Sequence, residues 1–277
     1  MKVGVSLLRI SQPLFVAAER DLFAKHGLDV ELVRFDTAQP MADELAAGRL
    51  DAAGYVAFPI LFGAPTPPKV RVVTAVVEDA AHPLSFLLVK KGLGPVGTAG
   101  LAGKKVGILP TLAYRKWLEA VLAHDGVKDV AIMPIAPALQ VDTLAGGGVD
   151  ALFTGDPMAT AAIARGVAEL ASKAPDVPRV LGDPFLFGTF AVSERAAATP
   201  AARSLARALD DAIGVLAADP GAGRAAMKSW VREPERAFVD RYPDTRYLAS
   251  TALDAAALDG ALTRAGTTLR AADVALP

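Results

Sequence analysis

The chain has 277 residues, enough for one large or two modest domains, and its hydrophobic fraction of 52% excludes a disordered chain. Its net charge of −1 argues against a general nucleic-acid binder, which needs a basic face to neutralise phosphates. Cysteine is absent, which excludes disulfides, thiolate metal sites and cysteine nucleophiles.

The first third of the chain alternates between strand and helix patterns. Val3–Leu7 has the composition of a buried strand, and residues 13–25 form a helical pattern that Pro13 opens and Gly27 closes. Alternating apolar and polar side chains predict a strand over residues 28–35. The next predicted elements are a helix at 40–47, a strand at 51–55, a short helix at 59–62 and a strand at 70–77. This alternation indicates βα units on a largely parallel sheet.

Part of this pattern recurs later in the chain. Lys2–Val5 has a counterpart in Lys105–Ile108, and Leu45–Ala52 has one in Leu144–Ala151. Chance similarity within an alanine-rich chain is the alternative explanation. We favour an internal repeat, which predicts two lobes of similar βα topology.

The predicted first lobe is discontinuous in sequence. It comprises residues 1–88 and 190–277, and the second lobe comprises residues 89–189. Strand patterns at 84–89 and 187–192 are the predicted crossings, and a Gly/Pro-rich linker follows the first of them at residues 92–97. From Thr199 onward the chain is helical in pattern, and we expect these helices to pack back on the first lobe.

Five motifs in order resemble a known family. They are Ser-Gln-Pro at 11–13, His-Gly-Leu-Asp-Val at 26–30, Leu-Ala-Ala-Gly-Arg-Leu-Asp-Ala at 45–52, Leu-Ala-Gly-Lys-Lys-Val-Gly-Ile at 101–108 and Thr-Gly-Asp-Pro at 154–157. The chain resembles the substrate-binding proteins of ABC importers for nitrate, sulfonates, taurine and thiamine-precursor pyrimidines, over roughly residues 3–192. The resemblance implies an α/β, two-lobed type II periplasmic-binding fold with two hinge crossings, in which each lobe is a mainly parallel sheet flanked by helices.

The resemblance also implies how such a protein works. A ligand is held in the cleft between the lobes, the lobes close by hinge motion, and the closed protein docks on an ABC permease in the membrane. We expect a monomer in the periplasm, or one lipid-anchored outside the cytoplasm. No signal peptide precedes the first strand pattern, and a native start at Met1 would place the protein in the cytoplasm.

In the first lobe, five residues are candidate ligand contacts because they lie near the predicted carboxyl ends of strands, where ligands of open α/β sheets bind. They are Arg9, Ser11, Gln12, Tyr55 and Glu78. Ser11 either caps the following helix or contacts the ligand. Tyr55 offers a ring that can stack on a heterocycle, and Glu78 offers a carboxylate that can accept from ring N–H groups.

In the second lobe, the candidate contacts are Thr111, Leu112, Ala113, Arg115 and Asp156. Thr111 and Asp156 each either cap a helix or contact the ligand. Arg115 falls in the first turn of its helix, where a cation opposes the helix dipole and calls for a compensating anion. A ligand or a neighbouring carboxylate would supply that anion.

These residues predict a binder of a small polar organic ligand. An organosulfonate or carboxylate is the first choice and a pyrimidine-like heterocycle the second. No catalytic motif, metal-ligand cluster or cofactor motif is present, and we expect no enzyme, no metal and no cofactor. The alternative is a cytosolic enzyme on the same fold that acts on a small aromatic or enol-containing acid. The pyrimidine-synthase relatives depend on a cysteine-rich segment, which this chain lacks.

Overall fold

The computed structural model describes residues 1–94 and 96–276, and these residues divide into two compact units. The first unit is Met1–Val77, Leu186–Val231 and Asp244–Pro277, and the second is Glu78–Phe185 and Arg232–Pro243. The sequence-based division after residues 88 and 189 stays a prediction. Pro95, in the predicted linker, lies outside the described residues.

The sheet of the first unit combines a parallel core with antiparallel additions. Its strands are β1 (Lys2–Ser6), β2 (Glu31–Phe35), β3 (Ala52–Val56), β4 (Val70–Glu78), β10 (Phe185–Ser193) and β11 (Arg246–Leu248). Among the described residues they form a six-stranded sheet in the order β11-β4-β10-β3-β1-β2. β1 pairs in parallel with β2 and β3, whereas β10 runs antiparallel to β3 and β11 antiparallel to β4.

Helices cover this sheet. They are α1 (Gln12–Glu19), α2 (Leu22–Lys25), α3 (Ala38–Ala46), α4 (Phe58–Phe62), α9 (Glu194–Ala197), α10 (Pro200–Ala218), α11 (Pro220–Met227), α13 (Ala255–Ala265) and α14 (Ala271–Val274). α10 and α11 pack against α1, as expected for helices that return to the first unit. The face of α10 that carries Leu205, Leu209, Ile213 and Leu216 is buried.

The second unit has a similar plan. Its strands are β5 (Phe86–Lys90), β6 (Lys105–Ile108), β7 (Ala131–Pro134), β8 (Ala151–Thr154) and β9 (Ala168–Leu170). Its helices are α5 (Leu112–His124), α6 (Pro137–Ala145), α7 (Met158–Ala164), α8 (Asp176–Leu181) and α12 (Glu233–Arg236). In its described part the strand order is β7-β6-β8-β5-β9, with β6 parallel to β7 and β8 and with β5 antiparallel to β8 and β9.

Matching hydrogen bonds confirm the predicted repeat. The Lys2 amide donates to Asp51 Oδ2 at 2.9 Å, and the Lys105 amide donates to Asp150 Oδ2 at 2.8 Å. The same hydrogen bond from a backbone amide to an aspartate therefore accompanies the parallel pairing of β1 with β3 and that of β6 with β8. Each parallel core is then extended by an antiparallel strand at the equivalent position, β10 beside β3 and β5 beside β8.

Two predicted elements differ in extent from the sequence pattern: one helix is divided into two, and one strand is shorter than predicted. The helix expected over residues 13–25 is divided into α1 and α2, because Asp21 between them takes the left-handed conformation with φ of 53°. The strand expected over 28–35 begins only at Glu31, whose amide donates to the Met1 carbonyl oxygen. Within residues 1–94 and 96–276 there are also four short 3-10 helices, at Arg9–Ser11, Thr98–Leu101, Val239–Arg241 and Ser250–Ala252.

Candidate functional site

The loop after β1 is the first candidate region. It contains a buried cation, Arg9. The side chain is 1% exposed, and Nη1 donates to Thr245 Oγ1 at 2.6 Å and to the Asp244 carbonyl oxygen at 3.2 Å. Both of these acceptors are neutral. They help to fix the guanidinium in place, and a buried guanidinium is a group suited to the recognition of anions.

The segment that holds Arg9 comes from the C-terminal part of the chain. Tyr247 in β11 donates from its hydroxyl to the Arg9 carbonyl oxygen at 3.2 Å, and Asp244 pairs with Arg224. Sequence reasoning missed this segment, because Arg9 and Thr245 lie 236 positions apart and no local pattern marks their contact.

Ser11 and Gln12 begin the first helix. Ser11 is the N-cap residue of α1, yet its hydroxyl makes no capping bond and instead lies 3.1 Å from Ser6 Oγ. Gln12 is buried, and a Cβ placed on Gly223 would come within 2.9 Å of Gln12 Cδ. Glycine at position 223 in α11 is therefore what makes room for the Gln12 amide. The ligand-contact role of Ser11 and Gln12 stays a prediction.

Tyr55 lies in β3 with a strained backbone. Its φ of 54° is unusual for an aromatic residue, and such strain collects at functional positions. The ring is fully buried and meets Phe190 and Tyr247 edge-on, at centroid distances of 6.3 and 5.3 Å. The hydroxyl lies 3.2 Å from Thr74 Oγ1. Tyr55 thus belongs to the same buried cluster as the Tyr247 that contacts Arg9.

Burial keeps both phenols of this cluster protonated. Desolvation raises the pKa of Tyr55 and of Tyr247 well above the usual tyrosine value. The two hydroxyls therefore remain neutral hydrogen-bonding groups throughout the physiological range. No negative phenolate opposes the positive charge of Arg9.

Glu78 ends β4 where the chain enters the second unit. It is fully buried, and Oε1 accepts from the Leu84 amide at 2.8 Å and from the Ser85 amide and hydroxyl. The neighbouring Asp79 accepts from the His82 amide and from its ring. Both carboxylates hold the loop before β5 in shape. This geometry favours a structural role for Glu78, and ligand contact stays a prediction.

The loop after β6 is the second candidate region. Thr111 is the N-cap of α5, and its hydroxyl accepts from the Tyr114 amide at 3.3 Å. Leu112 is partly exposed and Ala113 is buried. Arg115 pairs with Glu119 at 3.6 Å, so a neighbouring carboxylate one turn along supplies the anion that its position calls for.

Asp156 follows β8. Its Oδ1 accepts from the Thr160 amide at 2.9 Å, which caps the first turn of α7 although that helix begins at Met158. The sequence left helix capping and ligand contact open for Asp156, and this hydrogen bond is a helix cap. Ligand contact at Thr111, Leu112, Ala113, Arg115 and Asp156 stays a prediction.

In the described part of the chain, no helix combines the length and the apolar character needed to cross a bilayer. Across residues 1–94 and 96–276, no group of three or more histidine, aspartate or glutamate side chains is arranged to hold a metal ion.

Comparison with known proteins identifies the family. The model of the NMT1-like family matches residues 1–231. The chain belongs to the NMT1-like family. The family resemblance predicted from the sequence is thereby confirmed, and the matched region includes both candidate loops of this NMT1-like protein.

Solved structures confirm the fold of this family member. The alkanesulfonate-binding protein SsuA from Xanthomonas axonopodis, bound to MOPS, is 21% identical with a TM-score of 0.75, covering 94% of this chain and 89% of that one. A ligand-binding component of an ABC-type import system from Staphylococcus aureus, with zinc bound, is 14% identical with a TM-score of 0.79, covering 100% and 96%. The nitrate-binding protein NrtA from Synechocystis is 18% identical with a TM-score of 0.69, covering 87% and 69%.

The curated relatives of this NMT1-like chain are longer proteins. It is 29% identical over 178 residues to the nitrate import ATP-binding protein NrtC of Synechocystis and 32% identical over 177 residues to the bicarbonate transport ATP-binding protein CmpC of Synechococcus elongatus. Each match covers 57% of this chain and 26% of the relative. The chain therefore spans about a quarter of the length of these relatives.

Proposed function

We propose that this chain is the solute-binding component of an ABC importer and that it binds a small organic anion. The observation that carries the proposal is the family match over residues 1–231 together with a binding-protein fold that covers nearly the whole chain. The curated relatives are named for the import of nitrate and the transport of bicarbonate, both small anions. The buried guanidinium of Arg9 supplies a positive charge that matches an anion.

In this role the protein delivers its ligand to a membrane permease and performs no chemistry on it. We propose that it acts as a monomer outside the cytoplasm, in the periplasm or on a lipid anchor. Native mass spectrometry of the full chain tests the monomer. A dimer at low protein concentration would contradict this part of the proposal.

An organosulfonate or carboxylate is a better candidate ligand than a pyrimidine. A pyrimidine would use the Tyr55 ring for stacking and the Glu78 carboxylate for its N–H groups. The Tyr55 ring is already enclosed by Phe190 and Tyr247, and Glu78 is already bonded to the Leu84 and Ser85 amides. Arg9, by contrast, is a buried cation, whose charge suits an anionic ligand and not a neutral pyrimidine.

A ligand panel tests the function. Taurine, methanesulfonate, short carboxylates, nitrate, bicarbonate and a pyrimidine are screened against the full chain by thermal shift. We expect one of the anions to raise Tm, since a ligand at one hundred times its Kd stabilises the folded state by about 2.7 kcal/mol. NMR of the ligand over hours should show no conversion. Turnover of the ligand, or no shift with any anion, would contradict the proposal.

A substitution at Arg9 tests the site. Arg9→Gln should weaken binding of the anion by about tenfold or more, because a charged hydrogen bond is worth roughly 1.5–3 kcal/mol. Arg49→Gln is the matched control, since Arg49 is an exposed arginine that pairs with Glu44 in α3. Isothermal titration calorimetry measures both, and circular dichroism checks folding. Equal affinities of the two variants would show that Arg9 does not contact the ligand.

A further inference from the structure

A cavity of about 550 Å³ lies within the first unit, apart from the candidate loops. It is bordered by β4, α10, α13, α14 and the 3-10 turn Ser250–Ala252. Its volume falls in the range of small-molecule sites. None of the ten candidate ligand-contact residues lines it. Much of its wall lies beyond residue 231, where the family match ends.

The inner wall of the cavity is apolar. Val72 from β4, Ala206 from α10, Leu258 from α13 and Ala271 from α14 line it and are themselves buried. The Leu276 amide donates to the Val72 carbonyl oxygen at 3.1 Å, which fixes the C-terminal side of the wall to the sheet. These side chains offer an apolar surface to a hydrocarbon group.

The polar side of the cavity carries a net positive charge. Arg203 and Arg207 lie one turn apart on α10 and line the cavity with exposed side chains. The Arg207 side chain donates to Ser204 Oγ at 3.0 Å, and the Arg203 side chain makes no hydrogen bond or ion pair with any described residue. Asp210 also lines the cavity, but its carboxylate accepts from the Ser250 amide at 2.7 Å and from the Ser250 hydroxyl at 2.6 Å.

We propose that this cavity is a second ligand site, which binds a small amphipathic monoanion of the alkyl carboxylate class. The carboxylate lies between Arg203 and Arg207, and the alkyl chain lies against Val72, Ala206 and Leu258. Two arginines and one aspartate leave one net positive charge, which matches one carboxylate and disfavours a dianion such as phosphate. The Asp210 carboxylate faces Ser250 and does not compete for the arginines.

Octanoate tests the site on the full chain, by isothermal titration calorimetry below its micelle concentration. We expect saturable binding of octanoate at the cavity and weaker binding of the neutral analogue octanol. Arg203→Gln combined with Arg207→Gln should weaken octanoate binding at least tenfold and leave octanol binding unchanged. Arg49→Gln again controls for the loss of an arginine elsewhere on the same unit.

Two further variants locate the octanoate. Ala272 is exposed and lines the cavity, so Ala272→Trp should block entry without disturbing the core. Gln12→Ala lies outside the cavity and should bind octanoate like the parent chain. No saturable binding to the parent chain would overturn the proposal. Full affinity for octanoate in the double arginine variant would also overturn it. So would loss of octanoate binding in Gln12→Ala together with retained binding in Ala272→Trp.

Discussion

At the scale of single residues, a two-bond ion pair in the second unit joins Arg179 to Asp125. Arg179 donates to both carboxylate oxygens of Asp125, at 2.9 and 2.6 Å, and also reaches Asp176. The hydrogen bonds from Arg179 lower the pKa of Asp125 to about 2, with a further contribution from the Thr98 hydroxyl. This bidentate geometry is the strong form of an ion pair.

The lowered pKa of Asp125 predicts a loss of stability in acid. Because the folded pKa lies below the unfolded value of about 3.9, the stabilisation is complete above that pH and is lost as the pH falls toward 2. Solvent around the half-exposed Arg179 limits the effect to about 1 kcal/mol. Arg179→Gln should therefore lower Tm at pH 7 and change it little at pH 2. An equal loss at both pH values would contradict this.

The hydrogen-bond partners of individual side chains in the candidate site could not be predicted from the sequence. The pattern placed Ser11 and Thr111 before their helices, and the structure has both at N-cap positions. Only the Thr111 hydroxyl caps its helix. The Ser11 hydroxyl forms a hydrogen bond with the Ser6 hydroxyl instead. Whether a hydroxyl caps, pairs or meets a ligand depends on neighbours that are distant in sequence.

At the scale of elements, the sequence was most informative where a pattern repeats. The motif around Asp51 and its counterpart around Asp150 predicted two equivalent strand pairs, and both form. The end of α1 was missed, because the left-handed turn at Asp21 falls inside an unbroken helical pattern. The antiparallel strand β11 was also missed, since three residues carry too little periodicity to be recognised.

Two glycines in different elements should respond oppositely to alanine. In α10, a Cβ on Gly214 meets nothing within 4 Å, so Gly214→Ala should stabilise the protein by about 0.5–1 kcal/mol through higher helix propensity. In β10, a Cβ on Gly188 would lie 3.1 Å from the Val56 carbonyl oxygen, which is backbone of the adjacent strand. Gly188→Ala should therefore lower Tm. Chemical denaturation measures both, and a stabilised Gly188→Ala variant would contradict the close approach.

At the scale of the whole molecule, each of the two units is built from segments that are separated in sequence. The sequence predicted that the first unit would be discontinuous, because the helices after Thr199 have no sheet of their own. It did not predict that residues 232–243 belong with the second unit. That segment is short and charged, and its assignment rests on packing against residues far away in sequence.

Hydrogen exchange tests this assignment. Leu118→Ala in α5 and Leu209→Ala in α10 remove equally buried side chains, one from each unit, at a cost of about 2–5 kcal/mol. The first variant should increase exchange in residues 78–185 and 232–243, and the second in residues 186–231 and 244–276. Mass spectrometry of peptides resolves these segments. Faster exchange of 232–243 in Leu209→Ala alone would contradict the division.

The position of β10 between β4 and β3 has a consequence for how the protein is made. Chains emerge from the ribosome N-terminus first, and domains fold as units. The strands of the second unit, β5 to β9, are all synthesised by Leu170, whereas the first unit waits for residues 185–193 to join β3 to β4. The unit that begins first is therefore completed last, and its early strands remain exposed to chaperones and to other nascent chains in the meantime.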